Sequence, residues 1–391
     1  MKLSVGRSLA VVAVTSLLAA GCAAPESSGS SADEYKLGVM LPLTGPLASI
    51  GESFRTGIEM AAEQINADGG IDGTDLEVVF EDTQGTPEGG VEAMNKFVNV
   101  ENAPMVVTAT SGQTLSAQPI ASQRDVLLMN VGGASPNLLE LDALYNNAVN
   151  INALGPILAN HLFEQGYRRI AFVGTADPFG EGSVEAMAPV WEELGGEVVA
   201  EQSVALTDTD YGGQMLKVRS GRPDVVIATA TGEVLGQLVQ QARAAGIDVP
   251  MAGPLGTDGL TSVAGKAAEG FIDVSMTVAD PSSAPGSPAA EFYTDYEAEF
   301  GAAPSWIPGT AYETVYLFKS LIEQALEDGD DPTDGAVLEE LVQGAEFDDV
   351  LQAGDTVNFL DDHSVARTVA IREVVDGAFD VVETVRAGDA E

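Results

Sequence analysis

Residues 35–71 read YKLGVMLPLTGPLASIGESFRTGIEMAAEQINADGGI. The apolar run 37–43 has the length and composition of a strand buried on both faces. Thr44-Gly45-Pro46 breaks it with a turn. Beyond the turn, Phe54, Ile58, Ala61, Ala62 and Ile65 recur at three- and four-residue steps and make one apolar helix face. Glu52, Arg55, Glu59 and Glu63 occupy the opposite face, and Gly69-Gly70 supplies the left-handed residues that stop a helix. Strand, tight turn and amphipathic helix form the opening of a parallel α/β sheet. In such sheets ligands bind in the loops beyond the carboxyl ends of the strands.

The alternation continues outward from this stretch. Strands are expected over 76–81, 105–110 and 126–131, with a helix over 87–100 and another opened by the turn at Ser111. After 143–151 the cycle restarts, with helices over 156–165, 182–194, 211–219 and 233–245. Strands over 169–174, 197–204, 224–230, 249–253 and 271–277 alternate with them. The loop ADPSSAPGSPAA then precedes helical segments at 291–300, 310–326 and 333–343. Strands at 356–359, 368–375 and 379–385 close the chain, the last two as a hairpin turning at Asp376-Gly377. Two βα series of this kind imply two doubly wound lobes, and the length suffices for two domains.

The N-terminal segment reads as a processing signal rather than structure. Lys2 and Arg7 precede an apolar core over 9–20, shorter than the roughly 20 residues of a membrane span. Leu18-Ala19-Ala20-Gly21-Cys22 resembles a bacterial lipobox, although Ala19 stands where Leu is more usual. Residues 1–21 are therefore expected to be removed and Cys22 to carry a lipid anchor to the membrane. A buried free thiol is the alternative, but Cys22 is the only cysteine in the chain. Residues 22–34, rich in Ser and Ala and without an apolar period, read as a flexible tether.

Composition excludes several partners. Seventeen Lys and Arg face 60 Asp and Glu, a net charge of −43. No basic stripe exists to displace phosphate counterions, so nucleic acid is not an expected partner. The same deficit argues against electrostatic adhesion to an anionic bilayer, which leaves the lipid as the anchor. The acidic run 328–334 lacks the spacing of an EF-hand loop and reads as a solvated turn.

The pattern over 35–85 also resembles the first βα unit of the leucine/isoleucine/valine-binding proteins, the extracytoplasmic substrate-binding components of ABC importers. The resemblance rests on the TGP turn, Gly51, the INADGGI helix end and the acidic strand VVFEDTQG, and it extends at intervals to the C-terminus. It implies a periplasmic binding protein-like fold of type I, with two parallel-sheet lobes joined by a three-crossover hinge. Lobe one would comprise 35–151 and 281–348, and lobe two 152–280 and 349–391. It also implies a monomer that needs no cofactor, binds a small solute and delivers it to an ABC-transporter permease.

Candidate binding residues lie in the loops after strands. Ser111 reads as the cap of a helix start and Ser135-Pro136 as a cap followed by a proline in the first turn. Two such starts facing one cleft would make a carboxylate clamp, with ordinary capping as the alternative. In the family, a Ser at the position of Ser111 and a Ser or Thr at that of Ser135 hold the ligand carboxylate, and the carbonyl at that of Gly133 takes the amino group. Gly112 and Gln113, in the same turn as Ser111, and Thr231 in the loop after strand 224–230 join the expected set. Phe179 stands at the aromatic position of a YGxG-like loop and would cover the ligand from lobe two.

Two positions depart from the pattern. Leu255 occupies the place where amino-acid binders put an acid, with Asp258 close enough in sequence to substitute, and Ile50 replaces a frequent aromatic. Both departures weigh against a zwitterionic ligand. Amides, urea and small carboxylates therefore join branched-chain amino acids as expected solutes, and sensing for a partner receptor stands beside transport. Enzymatic chemistry has no support: His161 and His363 lack metal-ligand spacing, no G-x-S-x-G elbow occurs, and Gly265-Lys266 is followed by Ala267 rather than the Ser or Thr of a P-loop.

Overall fold

The computed structural model describes residues 34–282, 285–343, 346–348, 351 and 356–388. The expected signal, tether and lipid site at Cys22, and the side chain of Asp258, lie outside the described residues.

The opening stretch folds as strand and helix. β1 (Tyr35–Leu41) buries Leu37, Val39, Met40 and Leu41 completely, and α1 (Ala48–Ala67) turns Phe54, Ile58, Ala61, Ala62 and Ile65 inward. Each such aliphatic or aromatic side chain contributes about 1.5–3 kcal/mol on burial. Asn66 explains the INADGGI ending: its amide donates to Leu76 O at 2.9 Å and accepts from Leu76 N at 2.8 Å, clamping the end of α1 to the start of the next strand. Gly69 and Gly70 then take positive φ, as the chain reversal requires.

The first series continues through β2 (Leu76–Asp82), α2 (Pro87–Lys96), β3 (Met105–Thr108), α3 (Ser111–Ser122), β4 (Leu127–Asn130) and β5 (Leu144–Asn146). The expected helix over 87–100 finishes as a π-helical turn over Phe97–Glu101, which Asn102 ends at φ 54°. β5 has no counterpart in the sequence reading, because three residues are too few to show a period. The second series holds α4 (Ile151–Glu164), β6 (Arg169–Thr175), α5 (Pro178–Glu193), β7 (Glu197–Val204), α6 (Gly212–Ser220), β8 (Val225–Thr229), α7 (Gly232–Ala244), β9 (Met251–Pro254), α8 (Asp258–Ala264) and β10 (Ile272–Ser275).

Two helices start earlier than the expected bounds of 156–165 and 182–194. α4 begins at Ile151 because the Asn150 side chain accepts from Asn152 N, leaving Pro156 inside the helix. α5 begins at Pro178 because Asp177 accepts from Phe179 N and Gly180 N, a carboxylate cap that sequence spacing alone did not reveal.

The last series is α9 (Pro288–Phe300), α10 (Trp306–Asp328), α11 (Gly335–Val342), β11 (Glu346–Phe347) paired with β12 (Val357–Asn358), and the hairpin β13 (Arg367–Val375) and β14 (Ala378–Ala387). The hairpin turns through Asp376 and Gly377, both at positive φ.

Among the described residues, β1 to β5 form one parallel sheet in the order β2-β1-β3-β4-β5. A second sheet has the order β14-β13-β10-β9-β8-β6-β7, parallel from β7 to β10 and antiparallel at the final hairpin. α10 packs along α1, which places the late helices beside the first sheet, while β13 joins β10 in the second. The chain thus passes between the sheets after β5, after β10 and before β13.

A buried cluster ties these passages together. Arg367 bonds Glu313 and Asn147, Asn147 Nδ2 reaches Thr314 Oγ1 at 2.9 Å, and Leu351 N donates to Glu313 Oε2 at 3.1 Å. Strand order reverses at β1/β3 in one sheet and at β6/β8 in the other. These reversals open crevices at the carboxyl ends of the strands, where α1, α3, α5 and α7 begin.

Candidate ligand-binding site

A cavity of about 310 Å³ lies where those helix starts meet. From the side of the first sheet it is lined by Leu47, Ile50 and Phe54 at the start of α1, and by Thr110, Ser111 and Gly112 at the start of α3. Gly85, Thr86 and Pro87 at the start of α2, Gly132 and Gly133 after β4, and Trp306 and Ile307 at the start of α10 also line that side. From the second sheet come Asp177, Pro178 and Phe179 at the start of α5, Thr231 before α7, and Leu255 and Thr257 after β9. The volume sits at the small end of the range for small-molecule sites, roughly 300–1,000 Å³.

Most of the wall is apolar. Phe54 and Trp306 meet edge to face with ring centroids 6.1 Å apart, and Phe179 sits in the first turn of α5. Among the described residues, Asp177 is the one charged side chain that lines the cavity, and its Oδ1 already accepts from Phe179 N at 3.0 Å and Gly180 N at 2.8 Å.

The sequence-derived residues divide into two groups. Ile50, Ser111, Gly112, Gly133, Phe179, Thr231 and Leu255 come together on this cavity. Gln113 and Ser135 do not line it. Gln113 points into the first lobe, where Nε2 donates to Met40 O at 3.0 Å and Thr108 Oγ1 at 3.1 Å, and Oε1 accepts from Thr83 Oγ1. Ser135 is fully buried one layer behind, where its Oγ accepts from Asn137 N at 3.3 Å as the cap of a 3-10 turn over Pro136–Leu138.

The expected cap at Ser111 is shifted by one residue. Thr110 occupies the N-cap of α3 without a side-chain cap bond, and Ser111 is the first helical residue. Ser111 Oγ instead accepts from Ser135 N at 3.2 Å, so its own proton is left to donate.

Two loops are held rigidly. Asn130, buried at the end of β4, accepts from Gly133 N at 2.7 Å and donates to Gly133 O at 2.6 Å, which fixes the turn that lines the cavity. Leu255 takes φ 55°, a left-handed conformation rare for a branched residue without a local reason. That reason is a buried ion pair behind it. Asp273 accepts from Gly256 N at 2.8 Å, and Arg372 donates to Gly256 O at 2.9 Å and to both oxygens of Asp273. Burial pushes the Asp273 carboxyl upward against the opposing pull of Arg372.

Sequence reasoning missed Trp306, Thr110 and Thr257. Trp306 Nε1, Thr110 Oγ1 and Thr257 Oγ1 are buried and have no hydrogen-bond partner among the described residues. Thr110 was legible as a neighbour of Ser111, whereas nothing local connects Trp306 to the strand ends 200 residues earlier in the chain. The two histidines stand apart from the cavity: His363 stacks on Tyr145 at 4.3 Å, and His161 bonds Gln165. Among the described residues no group of three or more His, Cys, Asp or Glu is placed to hold a metal ion.

Comparison with known proteins agrees with this architecture. The profile of the periplasmic binding protein family matches residues 34–378. The Leu/Ile/Val-binding protein of Escherichia coli K12 is 28% identical over 325 residues, covering 81% of this chain and 86% of that protein. The structure of the branched-chain amino acid transporter substrate binding protein LivJ from Streptococcus pneumoniae, in complex with isoleucine, superposes with a TM-score of 0.80 at 23% identity, over 90% of this chain and 99% of that one. An ABC-transporter solute binding protein of R. palustris in complex with benzoate gives 0.82 at 20% identity, over 92% and 98%. With the sheet order and the site between its two halves, the match over nearly the whole described chain makes this protein a member of the periplasmic binding protein family.

Proposed function

We propose that this chain is the solute-binding component of an ABC importer, held at the outer face of the cell membrane by a lipid on Cys22. It captures a branched-chain amino acid, or a related small solute with an apolar body and one polar head. The observation that carries this reading is the cavity itself, whose walls come from loops after strands of both sheets and whose apolar side chains outnumber its polar ones. The name of the Escherichia coli relative supports the solute class.

Capture would proceed by closure. Lobe one, residues 35–151 and 281–348, and lobe two, residues 152–280 and 349–391, would rotate about the three passages between the sheets. A solute touching both lobes favours the closed state by the difference between its contacts in the two states. Ser111, Gly112 and Gly133 would hold the polar head, and Ile50, Phe179, Thr231 and Leu255 would enclose the body. The closed monomer would then be recognised by the permease.

A thermal-shift screen over branched-chain amino acids, their deaminated analogues, amides and urea tests this reading. A solute at 100 times its Kd adds about 2.7 kcal/mol of stability, a clear rise in melting temperature. The same solute should reduce the radius of gyration in small-angle scattering. No shift with any of these compounds at millimolar concentration would remove the cavity from consideration as their site.

A further inference from the structure

Hydrogen-bonding capacity around the cavity leans towards donors. Among the described residues, four groups that can donate lack an acceptor: the indole N–H of Trp306, which can only donate, the hydroxyls of Thr110 and Thr257, which can donate or accept, and the remaining proton of Ser111 Oγ. Trp306 and Thr257 are only 5% and 7% exposed, so water does not freely replace the missing acceptor. The helix termini add to this. α1, α3, α7 and α10 all begin at residues that line the cavity, and none receives a side-chain cap bond. Each N-terminus carries the equivalent of about half a positive charge, although in α1 the Ala48 and Ile50 N–H groups already donate to Gly45 O and Leu47 O.

Among the described residues that line the cavity, acceptors for a cation are few and partly committed. Asp177 Oδ1 caps α5, Gly133 O already accepts from Asn130 Nδ2 at 2.6 Å, and Leu255 brings no acid. A buried ammonium needs a paired anion or several acceptors to offset its desolvation. A carboxylate, by contrast, would satisfy the orphaned donors. We infer that the solute is an apolar monocarboxylate without an α-ammonium group, a short branched or aromatic acid rather than an amino acid. The net charge of −43 repels an anion at a distance, but salt screens that field within about 8 Å, whereas the helix termini act at contact. This inference rests on the proposed cavity and narrows its solute class.

Matched pairs on the full-length chain test it by calorimetry: 4-methylpentanoate against L-leucine, 3-methylbutanoate against L-valine, and 3-phenylpropanoate against L-phenylalanine. In at least one pair the deaminated acid should bind tenfold or more tightly than its amino acid, and 4-methylpentanamide should bind more weakly than 4-methylpentanoate. Thr257→Val and Trp306→Phe, verified as folded, should each weaken the carboxylate about tenfold, as loss of one bond to a charged group implies. Equal or tighter binding of the amino acids overturns the inference and leaves the proposed site standing. An amide that matches the carboxylate, or two variants that bind like wild type, also overturns it. Absence of binding by every member of every pair overturns the inference and the reading of the cavity together.

Discussion

Gly182 of α5 faces Pro136 so closely that a Cβ built on it would overlap Pro136 Cδ. Gly182 belongs to a helix beside the second sheet and Pro136 to the turn after β4 of the first, so the contact records how tightly the lobes approach. Gly232 repeats the relationship at φ 57°, where an added Cβ would stand 2.9 Å from Ile50 Cδ1.

Gly182→Ala should therefore separate closure from folding. Alanine is favoured over glycine inside a helix by about 0.8–1 kcal/mol, so in a free state with the lobes apart, where the overlap with Pro136 is relieved, the melting temperature should hold or rise. Solute affinity should fall, and the liganded radius of gyration should exceed that of wild type. Unchanged affinity would mean that the lobes bind solute without reaching this approach.

Ser111→Ala and Ser135→Ala should differ in kind. Ser111 lines the cavity and retains a proton to donate, so its loss should weaken solute binding by roughly tenfold with backbone N–H groups still in place. Ser135 is buried behind the cavity and caps a turn. Its replacement should lower stability by about 1 kcal/mol and change affinity less than Ser111→Ala does. Denaturant unfolding beside calorimetry reads both effects, and a larger affinity loss at Ser135 would contradict the placement.

The ion pair behind Leu255 offers a third test. Asp273→Ala leaves Arg372 buried without its partner, a change that typically destabilises by about 3–5 kcal/mol. It also releases Gly256, whose N–H and C=O the pair holds, so Leu255 should abandon its left-handed conformation and affinity should fall with stability. Stability measured by urea unfolding that stays within 1 kcal/mol of wild type, a margin well below the expected loss, would show that the loop keeps its shape unaided.

Acid should loosen the loops around β1. Burial would raise the Asp82 carboxyl, but hydrogen bonds from Thr44 Oγ1, Gln84 N, Thr44 N and Leu43 N outweigh it and hold the group below the ordinary Asp value. A carboxyl depressed by folding adds stability above its unfolded pKa of about 3.9 and loses it as pH falls through the folded value. The stability gap between wild type and Asp82→Ala should thus be present at pH 7 and close below about pH 4. Unfolding curves at the two pH values measure the gap, and a gap that persists in acid would assign it to packing.

The sequence by itself determined the local grammar of this protein. The double-faced apolar run of β1, the one-sided face of α1 and the Gly69-Gly70 stop are properties of neighbouring residues, because burial period and backbone conformation act over a few positions. Chain order also showed that Ser111, Phe179, Thr231 and Leu255 follow strands, which in a parallel sheet places them at one end. Only the tertiary structure decided which of these ends face one another. Periodicity reports that a face is buried but not what buries it, so Gln113 looked as exposed to the cleft as Ser111, although its amide turns inward to Met40 and Thr83. Trp306 reaches the cavity solely because α10 packs along α1, and its orphaned N–H acquires meaning only beside Thr110 and Thr257. Polar satisfaction is a sum over every neighbour in space, and residues far apart in the chain become neighbours only when both lobes are folded.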